Sequence, residues 1–311
     1  AAKIDGFNAS DVRPLPLDET PTLNSDETLL RFTQGVHHES SWFNGQTYLD
    51  TLNPDAVAKF IDVTFEPYKR EIGDAFGGVV PGTFTDEPSY GHGGWVCQKK
   101  DDNTYKTPWT DRLPTVFNER YGYDIIPLLP HVFFDIDDVQ NAKLRHNYID
   151  CLTHMFVEAF SKQIGQWCEE NNLLFTGHIL CEDTLGSQTA LVGSCMRFYE
   201  HMQAPGMDLL TECWRIYETA KQVSSAANQF GWKWRLTETY GCTGWDFPFV
   251  GHKALGDWQA ALGINLRCQH LSWYTMEGQA KRDYPASIFH QSPWWREYGK
   301  VEDYFARINA V

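Results

Sequence analysis

The chain is predicted to be an α/β protein, a (β/α)8 TIM-type barrel, on three observations. Short apolar segments of strand length alternate with longer segments of helical spacing across residues 28–311, which is the pattern of parallel βα units. From Met207 onward the strand starts recur roughly every thirty residues, the length of one βα repeat. Neither G-x-G-x-x-G nor G-x-x-x-x-G-K-[ST], which a nucleotide-binding open sheet would carry after a strand, is present, and this favours a closed barrel.

Residues 1–27 are rich in Pro, Asp, Thr and Asn without a period and read as an irregular leader, leaving 28–311 as a single catalytic domain. The predicted strands are TLLRFTQG from Thr28, VVPGTFTDEP from Val79, LLFTGHIL from Leu173, MDLLTE from Met207, WRLTETYG from Trp234 and INLRCQHLS from Ile264. About six strands are found where a barrel needs eight. Either two are disguised or the first two βα units fall upstream of Ala1, and the second explanation is favoured.

A helix is expected from Pro54, with Asn53 as its cap and Val57, Phe60, Ile61 and Phe65 as its apolar stripe. The longest helical run spans Val139 to Asn171, where Leu144, Tyr148, Leu152, Phe156, Phe160 and Ile164 recur at helical spacing. Between Ser89 and Pro130 a segment rich in Gly, Pro and aromatics is too long for a plain βα loop. It is expected to hold a short helix near Leu113 to Tyr121 and to line the substrate rim.

The formal net charge of −15 repels phosphate backbones and anionic headgroups, so nucleic acid and membrane are excluded as partners. Twelve Trp and 14 Tyr offer flat rings with polar edges that suit sugars, although rings of this kind also fill cores. Eight scattered cysteines without a C-x-x-C pair show neither a disulfide framework nor a zinc site. No export signal is legible at the start and no apolar run reaches membrane-spanning length, so a cytoplasmic location is the expectation.

In parallel barrels the strand C-termini converge on one face, so polar residues ending apolar strands are the candidate site. They are Asp86 and Glu87, His178 and Glu182, Glu238 and Tyr240, and His270 with Trp273 shortly after. Glycoside hydrolysis needs one carboxylic acid to protonate the departing oxygen, and one carboxylate to attack or to activate water. Glu87, stopped by Pro88, and Glu238, with Gly241 close behind, meet that need from strands with two others between them.

The run GTFTDEPSY resembles the Asn-Glu-Pro motif ending the fourth strand of clan A glycoside hydrolases, and LTETYGCTGWD resembles the segment carrying that clan's second glutamate. With YLDTLNPDAVAKFIDVTFEPYKREIGDAFG, TGHILCED, GDWQAALGINLRCQHLSWYTMEGQAKRDYP and SPWW, the series from about Tyr48 onward resembles bacterial barrel hydrolases related to glycoside hydrolase family 106, the α-L-rhamnosidases. The resemblance implies that Glu87 is the general acid and Glu238 the general base or nucleophile. It also implies that a calcium ion could serve at the sugar site. Asp86 departs from the clan's Asn, and by like-charge repulsion it would raise the pKa of Glu87.

Supporting residues are expected to contact sugar. His178 and His270 would bond hydroxyls, Trp245 and Trp273 would offer stacking faces beside Asp246, and Arg282 or Asp283 would face the cleft. For each, a structural role inside the fold is the alternative. No metal loop is legible and no cofactor is required, calcium resting on the resemblance alone. A barrel short of two strands would also expose sheet edges, so an oligomer or a preceding segment is expected to cover them. The alternatives to a rhamnosidase-like enzyme are a retaining clan A β-glycosidase of galactosidase type and a non-catalytic carbohydrate-binding barrel or fragment.

Overall fold

The computed structural model describes residues 1–16, 20–36, 38–91, 98–99, 104–136, 138–212, 215–272, 277, 288–290 and 292–310. In chain order its strands are β1 (Lys3–Asp5), β2 (Asn8–Ser10), β3 (Gly82–Thr85), β4 (Gln98–Lys99), β5 (Tyr105–Lys106), β6 (Leu174–Gly177), β7 (Ala204–Leu209), β8 (Leu236–Thr239) and β9 (Leu266–Gln269). The α-helices are α1 (Pro54–Ile72), α2 (Leu113–Tyr121), α3 (Leu129–Phe133), α4 (Asp138–Phe156), α5 (Lys162–Glu170), α6 (Leu185–Leu191), α7 (Cys195–Tyr199), α8 (Tyr217–Phe230), α9 (Phe249–Ala261) and α10 (Gly299–Asn309). The chain divides into two compact units, one of residues 1–60, 89–160 and 189–193, the other of 61–88, 161–188 and 194–311.

In the first unit, residues 1–27 contain the β1–β2 hairpin, and Arg13 closes on Glu27 through two bonds of 2.8 Å. Helices α2 and α3 pack on α4 around buried Leu113, Phe117, Leu144, Tyr148 and Leu152. The Asn53 side chain accepts a bond from the Asp55 amide at 3.0 Å, as an N-cap does. A π-helical turn, Val157–Ser161, follows α4 where one uninterrupted helix was expected.

The second unit carries the sheet. Five strands run parallel in the order β3-β6-β7-β8-β9, so neighbours in space follow one another along the chain. The eight-stranded TIM barrel is therefore not what forms: among the described residues the sheet is an open half-barrel with β3 and β9 at its edges. One reason is the segment from Thr28, read as a strand. It contributes only an isolated bridge from Thr28 to Ala2 in the first unit, and it leaves Leu29 and Phe32 exposed rather than packed between neighbours.

Central strand β7 is almost wholly buried, which is the signature of a parallel strand covered on both faces. Helix α8 lies against it, and α9 and α10 pack on each other with the Phe305 ring over Gly256. Cys151, Cys168, Cys181, Cys195, Cys242 and Cys268 are free thiols. No helix of the described residues is long and apolar enough to cross a membrane.

Candidate active site

Four neighbouring strands deliver charged groups at their C-terminal ends: Asp86 and Glu87 follow β3, His178 follows β6, Asp208 lies near the end of β7, and Glu238 near the end of β8. Asp208 and Glu238 are register partners, so their side chains leave the sheet on the same side. Strands β3 and β6 approach so closely that a Cβ on Gly177 would lie 2.0 Å from the Thr85 carbonyl oxygen. Gly177 also sits at φ +113°, a conformation open to glycine, and it swings His178 over the strand ends.

His178 is the centre of the cluster, with its side chain 1% exposed. Its Nε2 lies 3.2 Å from Asp86 and 3.9 Å from Asp208, and its Nδ1 lies 3.7 Å from Glu238. Neither ring nitrogen makes an aligned hydrogen bond, so the three contacts are close approaches that are ion pairs only when the ring is protonated. Burial works against charge on the ring, but Asp86, followed by Glu182, Asp208 and Glu238, outweighs it and raises the pKa to about 9. The same pairing with His178 holds the Asp86 carboxyl below its ordinary value.

Glu87 stands at the mouth of a cavity of about 150 Å³ lined also by His178, Glu182, Asp183 and Asp208. Its backbone is left-handed at φ +51°, a strained state for a non-glycine residue, and such strain gathers at functional sites. Burial, with smaller contributions from Asp86 and Asp183, raises the pKa of Glu87 against the lowering influence of His178. The repulsion expected from Asp86 is thus present, although loss of water is the larger cause.

Glu182 is fully committed. One carboxylate oxygen accepts from the Asp208 amide at 2.5 Å and the other from the Tyr199 hydroxyl at 2.8 Å, and burial pushes the carboxyl up to about 8. It braces the end of β7 rather than reaching outward for a ligand.

The remaining predicted residues scatter. Tyr240 is buried away from the cavity with Phe247 and Leu255, and its hydroxyl donates to the His252 carbonyl at 3.1 Å. His270 is buried at the end of β9, close enough to Asp86 to favour its charged form. Trp245 meets the Phe289 ring edge-on at 5.7 Å, beside exposed Asp246, and neither lines the cavity. Trp273, Arg282 and Asp283 lie outside the described residues.

Asp208 is the residue that sequence reasoning missed. It lies within 4.8 Å of Glu87 and of a His178 ring nitrogen, and burial pushes its carboxyl up to about 7. The available signal was a lone acid inside an otherwise apolar central strand, a placement that burial penalises unless function retains it.

Two triads, Asp86–His178–Glu238 and Glu87–His178–Asp208, bring one ligand atom from each residue within 4.8 Å of one another. Calcium takes oxygen ligands, six to eight of them. Each triad offers two carboxylates and one imidazole nitrogen, so neither by itself supplies the oxygen shell that calcium takes.

No family model matches the sequence, and no curated protein matches it. A solved structure titled as a rhamnosidase from Novosphingobium sp. PP1Y superposes with a TM-score of 0.65 at 20% sequence identity, covering 85% of this chain and 25% of that one. The chain thus spans about a quarter of the length of that enzyme, and at this identity the likeness is one of fold.

Proposed function

We propose that the chain is the catalytic portion of a glycoside hydrolase, with Glu87 as general acid and Glu238 as the second carboxylate. The observation that carries this reading is the convergence of carboxylates from β3, β7 and β8 around the His178 ring at the strand ends, beside a cavity lined by Glu87 and Asp208, in a half-barrel that superposes on a rhamnosidase. Glu87 is accessible and inclined to keep its proton, as a donor to a leaving oxygen must be. Glu238 stands near the end of β8 with its carboxylate 3.7 Å from the His178 ring, where a base or nucleophile would be placed. Asp208, pushed up to about 7, is poorly suited to that second role near neutral pH and better suited to holding a proton beside Glu87.

The cavity of about 150 Å³ is smaller than the roughly 300–1,000 Å³ of sites that enclose drug-sized ligands. A single terminal sugar unit fits that limit better than an internal stretch of polymer. The rhamnosidase likeness makes α-L-rhamnosides the first class to try, with β-galactosides as the comparison.

The test is a panel of 4-nitrophenyl glycosides with the product anomer followed by NMR. Glu87→Gln and Glu238→Gln are each expected to lower kcat by about a hundredfold or more while leaving the circular dichroism spectrum unchanged. Either variant turning over at the wild-type rate removes that residue from the mechanism.

A further inference from the structure

Near its end, strand β7 carries an acid whose backbone is clamped while its carboxyl is left unbonded. The Asp208 amide donates to Glu182 Oε1 at 2.5 Å. Glu182 is fixed in turn by the Tyr199 hydroxyl, which donates to Oε2 at 2.8 Å, and by the Gln188 amide, which donates to its carbonyl at 2.8 Å. The Asp208 Oδ1, by contrast, is buried with no hydrogen-bond partner among the described residues, and Oδ2 lies 3.9 Å from His178 Nε2, beyond hydrogen-bond length. His178, 1% exposed, likewise lacks an aligned partner at either ring nitrogen. Both residues line the cavity of about 150 Å³ that Glu87 also lines.

Buried polar atoms are bonded to protein or to what the protein holds. Two unpartnered groups from neighbouring strands open here on one hollow, so the donor that Asp208 lacks is supplied by whatever fills it. One atom each from Glu87, His178 and Asp208 lies within 4.8 Å of the other two. Three atoms so spaced leave a position no more than about 2.8 Å from all of them, the length of an ordinary hydrogen bond. A hydroxyl oxygen at that position donates to Asp208 and accepts from the ring nitrogen of His178 that carries a proton, whereas a methylene does neither. A carboxyl oxygen accepts with or without a proton on its neighbour, so the bond does not depend on the charge of the acid. Ile179, Leu209 and Leu210 complete much of the lining and give the C–H face of a sugar ring an apolar surface.

We propose that Asp208 is a specificity-determining residue of this site, the acceptor for one ring hydroxyl of the sugar seated beside Glu87. The placement of that sugar against Glu87 rests on the glycosidase reading above, whereas the demand of the cavity for a hydroxyl donor does not.

The kinetic arm of the test compares 4-nitrophenyl α-L-rhamnoside with analogues lacking the 2-, 3- or 4-hydroxyl, on wild type, Asp208→Ala and Asp208→Asn. For one analogue, wild type is expected to lose about tenfold or more in kcat/KM, while Asp208→Ala, already slowed on the parent, loses less than about threefold further. Asp208→Asn keeps an acceptor oxygen and is expected to keep the discrimination. No loss with any analogue, or losses that add to that of Asp208→Ala for all three, would assign Asp208 to a bound water or to the fold and overturn the proposal. Discrimination abolished by EDTA would make Asp208 a metal ligand and overturn it equally.

A second arm decides where there is no turnover or no folded alanine variant. Carboxyl ¹³C NMR of the aspartate-labelled chain, with the Asp208 signal assigned by its loss in Asp208→Asn, is followed as L-rhamnose or D-galactose is added. A saturable shift is expected with at least one sugar, and a shift at least about threefold smaller with one of its monodeoxy analogues at the same concentration. No shift with either sugar, or an equal shift with every analogue, overturns the proposal. If the chain hydrolyses no glycoside of the panel but the signal still moves as expected, the glycosidase reading falls and the hydroxyl site stands.

Discussion

Asp208 sits where an acidic side chain is hard to keep. Its Oδ1 is buried without a hydrogen-bond partner among the described residues, and burial, with repulsion from Glu238, Glu87 and Asp86, outweighs the nearby His178. An environment that disfavours the charge should welcome a neutral isostere. Asp208→Asn is therefore expected to raise stability by about 1 kcal/mol, a gain of about 2–4 °C in Tm by calorimetry, while turnover falls. A variant less stable than wild type would mean that the attraction to His178 dominates. Glu87 and Glu238 were legible because each ends a recognisable apolar run. Asp208 was not, because Pro205 and Gly206 conceal the start of β7 and made Asp208 look like an early strand residue rather than one near the end. Tyr240 misled for the opposite reason: it ends a strand, but its left-handed backbone at φ +72° turns the ring into the packing beside α9.

Among the elements, the parallel strands from Val79, Leu173, Met207, Trp234 and Ile264 were readable because each is a short apolar run bounded by turn residues. The helix at Leu113–Tyr121 was readable from its Pro near the start and Gly122 after its end. The segment from Thr28 was not, since an apolar run states that a strand is compatible and not that a partner exists to pair with it. How closely two strands approach is likewise invisible in a pattern of apolar residues. Gly177 marks the approach of β3 and β6, and Gly177→Ala would put its methyl carbon 2.0 Å from the Thr85 oxygen at a φ that alanine avoids. We expect a loss of about 3 kcal/mol or more in urea unfolding, with the damage showing as lost alignment of Asp86 and Glu87 against His178. A variant with an unchanged urea midpoint would mean that the strands can separate at little cost.

For the whole molecule, the repeat of βα units announced a parallel sheet but not its closure, because each unit is a local arrangement whereas closure depends on a first and a last strand meeting. The titration behaviour of the chain is also a global property. His178, raised to about 9, Glu182, raised to about 8, and Asp208, raised to about 7, all bind protons more tightly folded than unfolded. The stabilisation from His178 is complete below its unfolded pKa, near 6.5, and is lost as pH rises through about 9. The two acids act with the same sign: their ionisation is penalised in the folded state, so stability falls as pH climbs from the ordinary carboxylate range, about 4, through 7 and 8. Urea midpoints are expected to fall steadily from mildly acidic to alkaline buffer, and a midpoint that rises between pH 6 and about 9 would contradict the protonated cluster.

The succession of strands in the sheet sets a timetable for assembly. Strands β6, β7, β8 and β9 are joined by short helical crossovers and can dock one after another as soon as they are made, at little entropic cost. Strand β3 meets β6 only after a far longer stretch of chain has been looped out between them, which carries the larger closure penalty. The imidazole and the carboxylates of β7 and β8 can therefore be in place before Asp86 and Glu87 arrive, and the strand-end cluster is complete only once that edge strand has paired.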